Sequence, residues 1–278
     1  MAGGTRRVLC VSPRYARSFG TFDHAFALTG AKAFMPPQGI LVVAAWFSAR
    51  GWQVRLVDEN VRRADTSDME WADAVLVTGM HVQHDAVAEV VGRARRAGVI
   101  TVLGGPSVSA TPHWYPEPDL LHVGELGDAT VRLAERLERN VSPPERQEVY
   151  RTESRLPLEA FPVPAYDLID LDDYFIASIQ ASSGCPFQCE FCDIPELYGR
   201  TPRLKSPEQV TRELDAIMSA GRPDAVYFVD DNFIADPHAA GRLLEALVAW
   251  QDVRGHPVDF ACEATLNIAR PSPDHIRP

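Results

Sequence analysis

The sequence has no apolar run long enough to cross a bilayer: the longest, near Ile40 to Phe47, falls far short of the roughly 18 residues required. The amino terminus also lacks the charged and apolar blocks of a signal peptide, so the chain is expected to be cytoplasmic. Positive charge is in deficit. Twenty-seven Lys and Arg stand against 38 Asp and Glu, a net charge of −11, which argues against nucleic acid or anionic lipid as a partner. The cysteines are only five, an odd number, and three of them crowd within eight positions. That suits a metal or redox site in a reducing compartment better than a disulfide frame. No internal repeat is visible, and no G-x-G-x-x-G follows the first strand pattern, which weakens a nicotinamide-enzyme reading. What remains is an ordinary globular composition, 46% hydrophobic and 23% charged, in 278 residues that suffice for about two domains.

The first half alternates short Val/Leu/Ile runs with helical patterns. The runs are Arg6 to Pro13, Trp52 to Asp58, Ala72 to Gly79, Gly98 to Gly105 and Asp119 to Glu125; helices are expected over Gln38 to Arg50, His84 to Ala97 and Leu126 to Arg139. Continuous apolar strands are buried on both faces, and this rhythm predicts an α/β fold with a doubly wound parallel sheet over residues 1–140. Ligands of such sheets sit beyond the carboxyl ends of the strands. Here those ends are Ser12-Pro13, Thr78-Gly79-Met80, Gly104-Gly105-Pro106 and Gly124-Glu125, which are expected to converge on one crevice.

Residues 141–174 carry five prolines and no apolar period, and read as a linker or an extended surface connection. A strand pattern resumes at Tyr174 to Ser182. Ser206, Pro207 and Gln209 open a helix as a capping box, with Val210, Leu214, Ile217 and Met218 as its inward stripe and Gly221 at its end. Ala225 to Asn232 is the next strand. Asp236-Pro237 starts a helix carrying Leu243, Leu244, Leu247 and Val248, and Val258 to Ala264 is a third strand. Repeated strand–helix units over residues 175–278 predict a barrel-like parallel sheet.

The chemistry centres on C-P-F-Q-C-E-F-C, which sets Cys185, Cys189 and Cys192 in C-x3-C-x2-C spacing after a strand. Three thiolates on one short loop can hold three irons of a four-iron cluster and leave the fourth iron open to an outside ligand. A structural zinc site is the competing reading, but it wants a closed set of four ligands and no histidine stands nearby. The remaining alternative is coincidence among buried thiols. Cys10 and Cys262 lie within strand patterns and are expected in the core.

With this loop, and with Phe191 before its last cysteine, the chain resembles the radical S-adenosylmethionine superfamily. The segments Pro36 to Gly39, Thr78 to Gln83, Leu103 to Ala110 and Val123 to Leu126 resemble the cobalamin-binding domain of its methyltransferase branch. Ser18 to Gly39, Cys192 to Val210 and Tyr227 to Asp236 are similar to the group that contains the hopanoid C-2 methylases. The resemblance implies a 4Fe-4S cluster on Cys185, Cys189 and Cys192. It implies S-adenosylmethionine held near Phe191, Asp231 and Glu263, and cobalamin beside Ser12, Thr78, Gly79, Met80, Gly104, Gly105, Gly124 and Glu125. The implied reaction is radical methylation, in which a 5'-deoxyadenosyl radical takes hydrogen from an sp3 carbon and methylcobalamin delivers the methyl group that a second S-adenosylmethionine restores. An electron donor of flavodoxin or ferredoxin type and a small, lipid-like substrate are the implied partners. D-x-H-x-x-G, the cobalt-ligand motif of another type of cobalamin domain, is absent, so cobalamin is expected without a histidine on cobalt. His81 and His84 then read as polar residues at a helix start.

Residues 176–278 hold about three strand–helix units, whereas the resembled barrels have about six. The proline-bearing tail Leu266 to Pro278 is not expected to form a helix. A half barrel leaves an unpaired edge strand and an open core face, which a second chain would have to cover. The contrasting expectation is therefore a non-catalytic cobalamin- and cluster-binding remnant, or one part of a split enzyme.

Overall fold

The computed structural model describes residues 5–266. They fall into two compact units, one ending at Leu156 and the next beginning at Pro157. The first unit runs β1 (Arg7–Ser12), α1 (Asp23–Thr29), α2 (Gln38–Ala49), β2 (Gln53–Asp58), α3 (Thr66–Trp71), β3 (Ala74–Thr78), α4 (His84–Arg96), β4 (Ile100–Gly104), α5 (Pro106–Ala110), β5 (Leu120–Val123), α6 (Asp128–Arg139) and β6 (Glu148–Arg151). The strands form one six-stranded sheet in the order β2-β1-β3-β4-β5-β6, with every pairing parallel.

The doubly wound sheet expected from the apolar runs is present, and its burial shows why those runs are continuous. Leu9, Val11, Val75, Val77, Leu103 and Leu121 pack with Val87, Val90, Val91 and Ala94 of α4. Alternate strand residues point to the other face. There Val8, Cys10, Leu76, Val102 and Leu120 are buried too, covered by the apolar stripes of α2 (Ile40, Leu41, Phe47) and α6 (Leu133, Leu137). Arg50 at the end of α2 pairs with Glu138 of α6 at 2.8 Å. Winding reverses between β1 and β3, and in such a sheet the crevice opens at the carboxyl ends beside that reversal.

Residues 141–174 are not a linker. Glu148–Arg151 extend the first sheet as β6, with Leu120 opposite Glu148 and Val123 opposite Arg151. From Pro157 the chain belongs to the second unit, where Leu158, Tyr166 and Leu171 are buried in short 3-10 turns and the Tyr166 hydroxyl donates to Ser178 O at 2.8 Å. β6 is a four-residue edge strand with only one face half-buried, so it lacks the apolar signature of the inner strands.

The second unit comprises β7 (Ala177–Ile179), β8 (Ser182–Ser183), α7 (Ile194–Tyr198), β9 (Arg203–Leu204), α8 (Pro207–Ala220), β10 (Ala225–Phe228), α9 (Pro237–Arg254) and β11 (Asp259–Cys262). β7, β10 and β11 form a parallel sheet in the order β11-β10-β7, and β8 and β9 pair antiparallel. This is a partial (β/α) barrel of three strands. Ser206 caps α8 by accepting from Gln209 N at 3.2 Å, but Gln209 does not close the box: its amide donates to Leu158 O and Phe161 O at 3.1 and 3.3 Å. Val210, Leu214 and Ile217 are buried as expected, while Met218 is only half-buried and Val248 of α9 is exposed. The α9 stripe runs instead through Ala240, Leu243, Leu247 and Trp250, the spacing that keeps one helical face inward.

Cys10 lies in the core, but Cys262 is exposed. The reason is its strand: β11 is the outer strand of its sheet among the described residues, and Asp259 and Ala261 are exposed beside it. The tail is outside the described residues from Asn267 onward. No described helix is long and apolar enough to cross a membrane.

Candidate functional site

The strand ends of the first sheet are tied to one another by their loops. Gln83, buried at the start of α4, donates from its amide to Pro13 O after β1 and accepts from Met80 N at 2.9 Å after β3. Ser107 N donates to Gly79 O at 3.2 Å, joining the loops after β3 and β4. Gly124 N donates to Ser109 Oγ at 2.9 Å, joining those after β4 and β5. Ser12 O accepts from Glu59 N at 2.8 Å, and Glu125 O accepts from Thr152 Oγ1 at 2.7 Å. The structure thus joins Met80, Gly79 and Gly124 into one chain of neighbouring loops, with Ser12 and Glu125 anchored at flanking strand ends.

Glycine is required where these loops meet. Gly105 has φ +105, and a Cβ there would lie 2.7 Å from Thr78 Oγ1 and 3.1 Å from Gly79 N. Gly124, with φ +101, would place a Cβ 3.0 Å from Thr152. Both adopt a backbone region that other residues rarely enter. Gly104 meets only ordinary contact, from His122, and its glycine is not demanded by packing.

Beside these ends lies an aromatic and imidazole cluster. Met80, Val82 and Trp114 are 48%, 67% and 48% exposed, an apolar rim suited to a large flat ligand. His81 Nδ1 lies 2.8 Å from Ser107 Oγ, which lies 2.5 Å from the buried Tyr115 hydroxyl. The His81 ring packs on Trp114 at 5.4 Å, and His84 packs on Tyr115 at 5.1 Å. Interlocked glycine ends, open apolar rim and imidazole together fit a cobalamin.

In the second unit the cysteine loop follows β8 and returns through α7 to β9. Its neck is closed by the β8–β9 pair, by Cys185 N donating to Gly199 O at 3.1 Å and by Lys205 N donating to Ala181 O at 2.8 Å. Gly184, with φ +93, lies so near Gly199 O that a Cβ would approach to 2.8 Å. Cys185 and Cys192 are half-buried and Cys189 is exposed; Cys192 N donates to Cys189 O at 3.0 Å. No three His, Cys, Asp or Glu side chains among the described residues are drawn together as a metal cage. The three reduced thiols nevertheless supply a soft, accessible donor set on one anchored loop, which fits an iron–sulfur cluster.

Asp231 reaches this neck: its Oδ2 accepts from Gly184 N at 2.9 Å, one residue before Cys185. Glu263 stands after β11, where its Oε1 accepts from the Tyr227 hydroxyl at 3.0 Å and its backbone oxygen accepts from Phe233 N at 2.9 Å. Burial, followed by the hydrogen bond to Glu263, pushes the Tyr227 phenol up to about 12. Asp231 and Glu263 thus share the carboxyl ends of β10 and β11 in the second unit. Phe191 is 93% exposed.

One pair beneath the loop, Lys205 and Glu213, was not singled out from the sequence. Lys205 Nζ lies 2.7 Å from both Glu213 oxygens, and both side chains are fully buried. Burial raises the Glu213 carboxyl, against the pull of Lys205. Asp230 is also buried, accepts from Ala181 N at 3.0 Å, and is pushed up to about 6 by desolvation. A glutamate at position 213, three residues after Val210 on the inward stripe of α8, was the available signal.

Residues 26–134 match the family described as the B12 binding domain. The chain is 55% identical over 267 residues to the hopanoid C-2 methylase of Rhodopseudomonas palustris (strain TIE-1), covering 96% of this chain and 50% of that protein. Its fold is similar to TsrM of Kitasatospora setae, a radical S-adenosylmethionine methyltransferase solved with cobalamin and a 4Fe-4S cluster (TM-score 0.64, 16% identity, 91% of this chain and 53% of that one). It is similar also to the cobalamin-dependent S-adenosylmethionine radical enzyme OxsB, solved with aqua-cobalamin and S-adenosylmethionine (TM-score 0.64, 18% identity, 88% and 37%). The chain spans about half the length of the curated relatives it matches. Cysteine loop and likeness agree: the first unit matches the B12 binding domain, and over 96% of its length the chain is similar to the hopanoid C-2 methylase.

Proposed function

We propose that this chain carries the cobalamin-binding and cluster-bearing parts of a radical methylase that adds a methyl group to an unactivated carbon of a hydrophobic, hopanoid-like substrate. The observation that carries this reading is the C-x3-C-x2-C loop, set at the carboxyl end of one parallel sheet, in a chain whose other sheet matches the B12 binding domain. The 55% identity to a hopanoid C-2 methylase supports the substrate class. When bound, the cluster and S-adenosylmethionine supply a hydrogen-abstracting radical, and cobalamin supplies the methyl group.

The residues of this chain hold and orient. Cys185, Cys189 and Cys192 would ligate three irons, and Asp231 fixes the start of their loop through Gly184 N. Glu263, held by Tyr227, presents a carboxylate suited to the amino or ribose groups of S-adenosylmethionine. Exposed Phe191 offers an apolar face to its adenine. Ser12, Thr78, Gly79, Met80, Gly104, Gly105, Gly124 and Glu125 surround the proposed cobalamin crevice. The small-molecule substrate and a flavodoxin- or ferredoxin-type donor complete the proposal, in a reducing, cytoplasmic setting.

The test is anaerobic reconstitution with iron, sulfide and cobalamin, followed by dithionite and S-adenosylmethionine. We expect 5'-deoxyadenosine that disappears when Cys185, Cys189 and Cys192 are all changed to alanine. A cluster without 5'-deoxyadenosine would limit this chain to cofactor binding, the role of a non-catalytic remnant or of one part of a split enzyme whose barrel another chain completes. Failure to form any cysteine-dependent cluster would overturn the proposal.

A further inference from the structure

Asp230 takes no part in the reading above. It follows β10, is 3% exposed, and its Oδ2 accepts from Ala181 N at 3.0 Å. Lys205 holds the same residue from its other side, its backbone N donating to Ala181 O at 2.8 Å. The next carboxylate, Asp231, accepts from Gly184 N at 2.9 Å. The two aspartates thus grip both ends of the segment Ala181 to Gly184, which leads directly into Cys185. Asp230 keeps one oxygen in reserve. Its Oδ1 and the Ser182 hydroxyl are both buried and complete no hydrogen bond of ordinary geometry among the described residues. The hydroxyl nevertheless lies near enough to act on the carboxyl.

The charges around Asp230 do not balance. Lys205 favours its ionised form, but Lys205 Nζ already lies 2.7 Å from both oxygens of Glu213 on α8, so two buried carboxylates share one ammonium. Arg203 of β9 donates to Ser183 Oγ at 3.0 Å. On β11, burial and then Asp230 and Glu263 push the Cys262 thiol up, and Glu263 accepts from the Tyr227 hydroxyl. Each cation here has another partner. An ionised Oδ1 can only accept, whereas a protonated one can donate to the Ser182 oxygen and give both orphaned atoms a partner. Desolvation acts in the same direction and lifts the Asp230 carboxyl to about 6. An electron added to a cluster on the neighbouring loop would favour the acid further, because like charges repel most strongly out of water. We propose that Asp230 is the proton acceptor coupled to cluster reduction: as the cluster on Cys185, Cys189 and Cys192 gains one electron from the external reductant, the Asp230 carboxylate gains one proton from solvent and becomes an acid that donates to Ser182. No other bond forms or breaks, and the buried site keeps its net charge. The inference rests on the cluster reading above.

The test uses the whole 278-residue chain, reconstituted anaerobically with iron and sulfide and titrated with reductant at several pH values. Electron paramagnetic resonance counts the reduced cluster. Electron and proton binding favour each other reciprocally, so the midpoint potential should fall as pH rises through about 6, and level off at higher pH. The slope should approach a tenfold change in the reduction equilibrium per pH unit, about 59 mV. In Asp230→Asn the potential should be independent of pH and lie at the acid plateau of the parent, since the amide stands for the protonated carboxyl. Infrared difference spectra of the parent near neutral pH should show a carboxylic-acid carbonyl band that appears on reduction and shifts with 13C-labelled aspartate. A flat potential in a cluster-bearing parent, a slope that persists in Asp230→Asn, or no labelled acid band would overturn the assignment while leaving the cluster intact. If no cysteine-dependent cluster forms, both this inference and the reading beneath it fail.

Discussion

At the residue scale, the two carboxylates at the carboxyl ends of β10 and β11 are separable from the proposed cluster. Asp231→Asn and Glu263→Ala are expected to weaken S-adenosylmethionine binding at least tenfold, about 1.4 kcal/mol or more, by isothermal titration, with iron content unchanged. Unaltered affinity in both would remove them from the proposed site. Asp230, next in sequence to Asp231, has a different task. Its carboxyl titrates near 6 because burial opposes ionisation, well above the ordinary carboxylate value of 3.8. A folded-state value above the unfolded one means that stability is fullest below the unfolded value and is lost as pH rises through about 6. Asp230→Asn should therefore unfold at higher denaturant than the parent at pH 8, by about 2 to 3 kcal/mol, and match it near pH 4. A constant difference across that range would show that the buried carboxyl is not the titrating group. Which of the adjacent Asp230 and Asp231 would be buried was not legible in the sequence, because neighbouring residues after a strand turn to opposite sides.

At the scale of elements, the cysteine loop depends on a neck built from β8, β9 and the first turns of α8. The Lys205–Glu213 pair joins the end of that neck to the helix from a fully buried position. Removing one partner strands a charge out of water, which costs far more than the pair contributes. Lys205→Met should destabilise the second unit by about 3 to 5 kcal/mol and reduce cluster loading, while Lys205→Met with Glu213→Leu should recover most of the stability. Equal loss in single and double variants, by denaturant melts, would rule out the stranded charge as the cause. The helices themselves were legible: Ser206 and Asp236 cap α8 and α9 where the sequence placed them. The partners of Gln209 were not, because its amide bonds carbonyls 48 and 51 residues away in the chain.

At the scale of the whole molecule, the first unit should fold alone, since its sheet, both helical layers and β6 all lie before Pro157. A fragment of residues 1–156 is expected to melt cooperatively, and one of residues 1–140 to be markedly less stable because it bares the edge of β5. Indistinguishable melting by circular dichroism would return 141–156 to the status of a linker. The sequence by itself determined the α/β class, the strand order along the chain and the spacing of the three cysteines. These follow from local periodicity, caps and covalent separation, which no distant residue can alter. Only the tertiary structure decided that β6 joins the sheet, that Cys262 is exposed while Cys10 is buried, and that His81 is oriented by Ser107 and Tyr115. Each depends on residues far apart in the chain meeting through packing and hydrogen bonds, and burial is a property of what covers a side chain rather than of the side chain itself.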